Sequence, residues 1–468
     1  MIGTIQSVAA RLFAAAVFML SAIAVNAWGA EERVWVAPDV ILTARGALAA
    51  DTLRRAHEQG LKPEEYWPWG DGLPDGVDGA AWDRAIEDAL LRYISDVRDG
   101  RPAPRIADPE LFVIPTETDA KAVLAAGLAE GDFAAWLSKL PPQSARYLGL
   151  RDALARYRDL AQLPWGQVPD ARKLEAGMTD PAVSVLRGRL RLLGDLEDEN
   201  DIGGNRFDVD LRAAVIRFQL RHGLKPDGVV GPKTRAALDV PPAARATRIA
   251  LNMERLRWLP DDFGPRYVLV NISGFDLTAV SGGVEVLRMP VIVGRDQRRT
   301  PVLTDRIVNV VFHPTWTVPP KLARKDILPK IKADPEYLNH MGITVFRSWN
   351  GDAPVVDPDG IDWAAIQPNR LSFKFRQEAG PKNALGRIRF SLTNPQDIYL
   401  HDTPEKTLFE KPDRSVSSGC VRVSRPLALA AFAFAPSEKW TRDALQDAMN
   451  GSATTVVKLP QPLPGYLT

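Results

Sequence analysis

At Tyr267 the sequence changes its period, and that change limits the fold more than any single residue does. Before it, apolar residues recur three and four apart, as in Asp78-Gly79-Ala80-Ala81-Trp82-Asp83-Arg84-Ala85-Ile86-Glu87-Asp88-Ala89-Leu90-Leu91, the stripe of an amphipathic helix. After it, short apolar runs bounded by turn residues take over: Tyr267 to Ile272, a Ser281-Gly282-Gly283 hairpin turn, and Val284 to Val293, ending at Gly294. Further strands are expected at Val308 to Phe312, Ile388 to Leu392 and Ile398 to His401, with Arg298-Arg299-Thr300-Pro301 as a loop. The chain is therefore expected to be a multidomain α+β protein, helical in its first half and β-rich in its second. Its 468 residues allow about three domains.

The boundaries follow the local punctuation. Residues 1–27 read as an export signal, with Arg11 as the n-region, Leu12 to Val25 as the apolar core, and Val25-Asn26-Ala27 as a small-x-small cleavage site. The apolar run is short for a membrane span of about 20 residues, although an uncleaved anchor is the alternative. Residues 31–178 form a helical scaffold, whose Trp67, Trp69, Trp82 and Trp136 are assigned to core packing rather than to a sugar platform. Residues 180–240 are a compact unit: Asp180-Pro181 opens a helix to Leu193, a second runs from Val209 to His222 and stops at Gly223, and a turn at Asp227-Gly228 leads into a third. A linker helix (245–265), the β-rich domain (266–450) and a C-terminal tail (451–468) complete the chain. An insertion at about 321–374 interrupts the β-rich domain, with a helix from Lys321 to Lys332 and another segment from Tyr337 to Ile343. An insertion of this size beside a reaction centre acts as a lid, and Trp316, Trp349, Trp363 and Phe373 are candidates for a groove wall.

Composition excludes several functions. Lysine plus arginine (59) nearly equals aspartate plus glutamate (58), so there is no basic footprint and no nucleic-acid partner is expected. The five histidines are scattered without metal-ligand spacing, and the acidic stretch from Asp198 places Ile202 and Val209 where a calcium loop needs oxygen ligands. No metal or other cofactor is expected. Chemistry falls instead to Cys420, the single cysteine, in Ser417-Ser418-Gly419-Cys420-Val421-Arg422-Val423, shortly after His401. In an exported chain a leftover cysteine is either an intermolecular link or a reactive thiol, and the serine and glycine neighbours point to an exposed turn rather than a core. A histidine partner can draw the thiol below its ordinary value near 8.5, so that a thiolate attacks an amide carbonyl and forms a thioester. Backbone N–H groups of Ser418, Gly419 and Cys420 would supply the oxyanion hole.

The C-terminal half resembles the L,D-transpeptidases of the YkuD type, in the large periplasmic form that joins a helical scaffold, a peptidoglycan-binding module and a lidded catalytic domain. The stretches that carry it are Trp316-Thr317-Val318-Pro319-Pro320, Arg376 to Gly386, Tyr399-Leu400-His401-Asp402-Thr403 and Ser417 to Val423. The resemblance implies Cys420 as nucleophile, His401 as general base, the main chain of Asp402 as its orienter, and Ser418 and Gly419 as oxyanion-hole backbone. Arg422, Arg376, Asn383 and Trp316 would serve the substrate. Many members carry histidine where this chain has Ser418. Residues 180–240 likewise resemble a three-helix peptidoglycan-binding module, whose landmarks fall on Phe218-Gln219, Asp227, Gly228, Gly231 and Thr234; the alternative is a spacer. The implied partners are peptidoglycan stem peptides and glycan strands, with other cell-wall synthesis enzymes as candidates and the membrane only through an uncleaved anchor. The implied location is the periplasm of a Gram-negative cell. The implied reaction splits the bond between the third, diamino acid residue of a tetrapeptide stem and its terminal D-Ala, then forms a 3→3 cross-link without ATP or metal, and implies acylation by carbapenems. An L,D-carboxypeptidase, a hydrolase releasing cross-links or anchored lipoproteins, and a non-catalytic wall-binding scaffold stay open.

Overall fold

The computed structural model describes residues 33–468 apart from 71–75, 77, 102–110, 114–116, 170–172, 198–203 and 436. The export signal and the start of the acidic stretch lie outside the described residues. Two compact units emerge, one of residues 33–101, 117–158 and 246–257, the other of 102–116, 159–245 and 258–468.

In the first unit, helix Gly79–Asp99 buries Trp82, Ile86, Ala89, Leu90, Tyr93, Ile94 and Val97, the stripe its sequence spacing requires. Thr43 caps helix Ala44–Arg54 by accepting the Gly46 N–H at 3.0 Å. Trp69 meets Trp67 and Trp82 edge-on, with ring centroids 4.9 and 4.6 Å apart, and Trp136 stacks on Phe133. These tryptophans pack a core. The segment read as a linker helix forms helix Pro242–Arg257, whose residues 246–257 belong to this unit, where Ala246 and Met253 pack on Tyr147 and Leu154. Its buried Arg257 donates to Gln59 O and, at 2.7 Å, to the Tyr147 hydroxyl, and pairs with Glu254.

In the second unit, helices Pro181–Leu192, Val209–Arg221 and Pro232–Asp239 form the three-helix module. Asp180 caps the first by accepting the Ala182 N–H at 2.9 Å, and Gly223 ends the second at φ +64°. Buried Gln219 organises the turn: its Nε2 donates to Asp227 Oδ1 (3.0 Å), Val229 O (2.9 Å) and Thr234 Oγ1 (3.1 Å), and its Oε1 accepts the Gly228 N–H (2.9 Å). Phe218 is fully buried, Gly228 needs its φ of +73°, and Gly231 caps the third helix with ordinary extended backbone. Gln219, Asp227, Gly228 and Thr234, landmarks of this module in the sequence, therefore hold its turn.

The β-rich domain is built from β1 (Leu111–Phe112), β2 (Arg266–Asn271), β3 (Asp276–Ser281), β4 (Val284–Gly294), β5 (Val302–Phe312), β6 (Trp316–Thr317), β7 (Ile343–Phe346), β8 (Val355–Val356), β9 (Lys374–Gln377), β10 (Ile388–Ser391), β11 (Leu400–His401), β12 (Ser415–Ser417), β13 (Val421–Val423) and β14 (Thr455–Leu467). The main sheet runs β1-β5-β10-β11-β13-β4-β3-β2-β14, and β14 also pairs antiparallel with β5, which closes the path on itself. The C-terminal segment is thus a strand of the sheet, where the sequence reading expected a tail. Its proline-punctuated pattern hides the strand, and the register shift between Lys458 and Leu463 absorbs the prolines. Helix Pro426–Phe434 drives Leu429, Ala430, Ala433 and Phe434 into the core formed by Val291, Val310, Phe312, Phe390, Leu400 and Val421.

The insertion is a small domain of its own. Strands pair in the order β6-β9-β7-β8 over a separate core that includes Val318, Ile327, Leu328, Ile331, Leu338, Val345, Trp363 and Phe375. The helix expected from Lys321 to Lys332 is broken into a turn Pro320–Leu322, a π-helical segment Ala323–Ile327 and helix Leu328–Ala333. Pro329 explains this, since it has no N–H to offer the carbonyl one turn back and the ladder must widen. Trp363 and Phe373 pack in this domain, while Trp349 is exposed.

Truncation before Thr455 removes the strand that pairs with both β2 and β5. It is expected to abolish the cooperative thermal transition of the β-rich domain; an unchanged transition in calorimetry would show the closure to be dispensable.

Candidate active site

Strand pairing assembles the site. Strands β11 and β13 are parallel neighbours, with Leu400 opposite Val421 and His401 opposite Arg422. Leu400 and Val421 point into the core, so alternation puts Tyr399, His401, Cys420 and Arg422 together on the other face.

The Cys420 thiol faces Asp397 O at 3.5 Å. Asp397 sits in the left-handed region at φ +56°, a strained conformation for a residue with a side chain. The Tyr399 side chain lies against the sulfur and against the Trp316 side chain. Burial outweighs these contacts and pushes the thiol up to about 11.

His401 Nδ1 lies 2.5 Å from Asp402 O. A carbonyl oxygen only accepts, so Nδ1 carries the proton and Nε2 keeps the basic lone pair. Burial, reinforced by Arg422, pushes the imidazole down to about 3. Among the described residues no hydrogen bond joins the thiol to His401. The sequence reading expected the histidine to lower the thiol; the structure instead holds both groups neutral, because burial penalises each charged form.

Asp402 is fixed on every side. Its N–H donates to Ile388 O at 2.8 Å, and its carboxylate accepts the Arg387 N–H at 2.9 Å and pairs with Lys406. Gly386 is required there, since a Cβ would come within 2.4 Å of the carboxylate. The carboxylate thus holds the turn while the carbonyl faces the imidazole.

The turn bearing Cys420 is braced from within. Gly419, at φ +125°, donates its N–H to Ser417 Oγ at 3.2 Å, and Ser417 Oγ donates to Cys420 O at 2.7 Å. The Gly419 amide is therefore engaged and is not an oxyanion donor in this state, which corrects that expectation. The amides of Ser418 and Cys420 remain as the turn's donors.

The expected substrate residues separate into two groups. Arg422 pairs with Glu405 and approaches Thr403 Oγ1, Arg376 pairs with Glu378 at 2.8 Å and lies over the Phe346 ring, and buried Asn383 donates to Pro314 O (3.0 Å) and Glu378 O (2.9 Å). Asn383 works with Gln377, which bonds Met341 O, Lys382 O and the Ala384 N–H, to staple the base of the inserted domain. Neither side chain of this staple has polar capacity left for a ligand. Trp316 does reach the centre through Tyr399. Sequence reasoning gave Tyr399 no role, yet its place two residues before His401 already put it on the same face.

Among the described residues no group of three or more histidine, cysteine or acidic side chains could hold a metal, and no helix is long and apolar enough to cross a membrane.

With the thiol at about 11, only about one molecule in ten thousand is thiolate at pH 7. Alkylation of the ligand-free protein by iodoacetamide is expected to keep rising from pH 7 through pH 10. A plateau below pH 8.5 would show a thiolate already formed.

Comparison with known proteins adds three matches along the chain. Residues 265–456 match the L,D-transpeptidase catalytic domain of the YkuD family, residues 30–154 a scaffold domain, and residues 179–238 a family described as "Putative peptidoglycan binding domain". A Haemophilus influenzae protein named "Putative L,D-transpeptidase" is 36% identical over 220 residues, which cover 47% of this chain and 43% of that protein. The match thus spans less than half of that relative's length. Among solved structures, an L,D-transpeptidase from Mycobacterium smegmatis aligns at 12% identity over 44% of this chain and 58% of its own, with a TM-score of 0.22. One from Xylanimonas cellulosilytica aligns at 17% identity over 65% and 100%, with a TM-score of 0.19. Scores this low carry no argument about this chain.

Proposed function

We propose that Cys420 and His401 transfer peptidoglycan stem peptides through a thioester, since residues 265–456 match the L,D-transpeptidase catalytic domain of the YkuD family and residues 179–238 match a peptidoglycan-binding family. The observation that carries this reading is the pairing of β11 with β13, which sets an imidazole with a free Nε2 on the same face as the single thiol.

The thiol attacks the carbonyl that links the third, diamino acid residue of a donor stem to its terminal D-Ala, and its proton passes to His401 Nε2. The resulting oxyanion is met by the amides of Ser418 and Cys420. The imidazolium returns its proton to the departing D-Ala nitrogen, leaving the acyl group on sulfur. The side-chain amine of a second stem then attacks the thioester, gives up a proton through His401 and regenerates the thiol, forming a 3→3 cross-link. The thioester retains enough of the amide's free energy that no ATP is consumed.

Burial of both groups supports general-base attack rather than a resting ion pair. Substrate must draw the sulfur from Asp397 O as the proton leaves. Asp402 O stabilises the imidazolium that forms, and Tyr399 can follow the sulfur through its hydroxyl. Acylation of the sulfur by the strained ring of a carbapenem uses the same geometry. Peptidoglycan is the proposed partner through residues 179–238, and the cell wall or periplasm the proposed location.

Incubation with tetrapeptide muropeptides tests the reading. The wild-type protein is expected to yield cross-linked dimers and D-Ala, and Cys420→Ala neither, while keeping its circular dichroism. Tripeptide without dimer would replace transfer by hydrolysis, and full turnover by folded Cys420→Ala would remove the nucleophile. His401→Ala is expected to slow acylation by about 10²–10⁴-fold. In intact-mass measurements a carbapenem is expected to add its mass to the wild type and not to Cys420→Ala; equal addition to both would place the adduct elsewhere.

A further inference from the structure

The inserted domain meets the turn bearing Cys420 through a half-buried cation that the proposed chemistry does not use. Arg298 lies on the 3-10 turn Asp296–Arg298 after β4, and its side chain is only 12% exposed. Its guanidinium forks onto the Asp326 carboxylate, with Nη2 to Oδ1 at 2.9 Å and Nη1 to Oδ2, and Nη1 also donates to Ser418 Oγ at 3.1 Å. One side chain therefore links the residue two before the nucleophile to the inserted domain.

Both ends of this link are held independently. On the catalytic side, the Arg295 N–H donates to Ser417 O at 3.1 Å, Thr300 Oγ1 donates to Gly419 O at 2.7 Å, and Thr300 Oγ1 accepts the Gly294 N–H at 2.9 Å. The loop bearing Arg298 is thus tied to the turn bearing Cys420. On the other side, Asp326 lies in the π-helical segment Ala323–Ile327, whose Ala323 and Ile327 are buried in the insertion's own core. A π segment shifts the residues it contains around the helix, and such segments cluster at functional positions. Arg298 holds the Asp326 carboxyl below the ordinary carboxylate range, with Arg295 and Lys330 adding to the effect.

We propose that Arg298 is a positioning residue that latches the inserted domain to the nucleophile turn, through a bidentate pair with Asp326 and a third bond to Ser418, so that the closed lid and the aligned thiol form together. A planar fork on a carboxylate fixes orientation as well as distance, which a lysine in its place would not do. The staple at Gln377 and Asn383 holds only the base of the insertion. The latch holds the helical segment that carries Asp326. Closing it around an acylated Cys420 keeps water from the thioester, which favours transfer to an amine over hydrolysis. This last consequence rests on the proposed acyl transfer; the latch itself does not.

Two measurements separate the latch from the chemistry. In hydrogen exchange on the full chain, Asp326→Asn is expected to raise exchange across residues 320–333 by roughly 10–100-fold, the size associated with loss of a charge-assisted hydrogen bond. Asp326→Glu should stay nearer the wild type. Each reversal alone, Arg298→Asp or Asp326→Arg, should exchange fast, and the double reversal should recover part of the protection, which a general loss of packing would not do. Wild-type exchange in Asp326→Asn, or no recovery in the double reversal, overturns the latch. In the kinetic arm, Asp326→Asn is expected to shorten the lifetime of the acyl adduct on Cys420 by about tenfold while still forming it, as expected if the latch excludes water. An unchanged lifetime overturns the water-exclusion role. Failure of the wild type to form any adduct overturns the acyl-transfer reading and leaves the exchange result to decide the latch.

Discussion

The parallel pairing of β11 with β13 is the constraint on which the site depends. It sets His401 beside Arg422 and leaves Cys420 one step outside the ladder, opposite Tyr399. Because Leu400 and Val421 are buried in the core beneath, a slip of one residue would turn the thiol and the imidazole into that core. Burial of Leu400 and Val421 therefore fixes the register of Cys420 and His401.

That register survives because the sheet has few free edges. β14 returns from the end of the chain to pair with β2 on one side and β5 on the other, and helix Pro426–Phe434 fills the interior with small and large apolar side chains. Closure removes edge strands open to mispairing and fixes the strands around the site. The short β11 and β13 could not hold their places alone.

Within this frame most of the polar groups around Cys420 serve as bracing. Ser417, Thr300 and the Asp402 carboxylate use their capacity on the turns around them, as does the Asn383 and Gln377 staple. The proposed chemistry rests on what lies outside that bracing: the thiol, one imidazole nitrogen and the amides of Ser418 and Cys420. The high thiol and low imidazole values share one cause, since burial penalises the charged form of each. Arg298 then joins this braced turn to the insertion.

The sequence by itself determined the change from helices to strands at Tyr267 and the three helices after Asp180, because periodicity and caps are local. It placed the hairpin at Gly282-Gly283, where φ values of +58° and +77° require glycine. It did not reveal that the segment from Thr455 is a strand, since prolines mask its alternation and only β2 and β5 give it partners. Nor could it assign Asn383, Phe218 or Thr234 to bracing rather than to ligands, because a polar or aromatic residue in a motif looks the same in either use. The helix Pro242–Arg257 read as a linker until Tyr147 and Leu154 gave its apolar face a surface to cover. The tertiary structure alone decided the state of the thiol and imidazole, because their charges answer to burial, which no local spacing encodes.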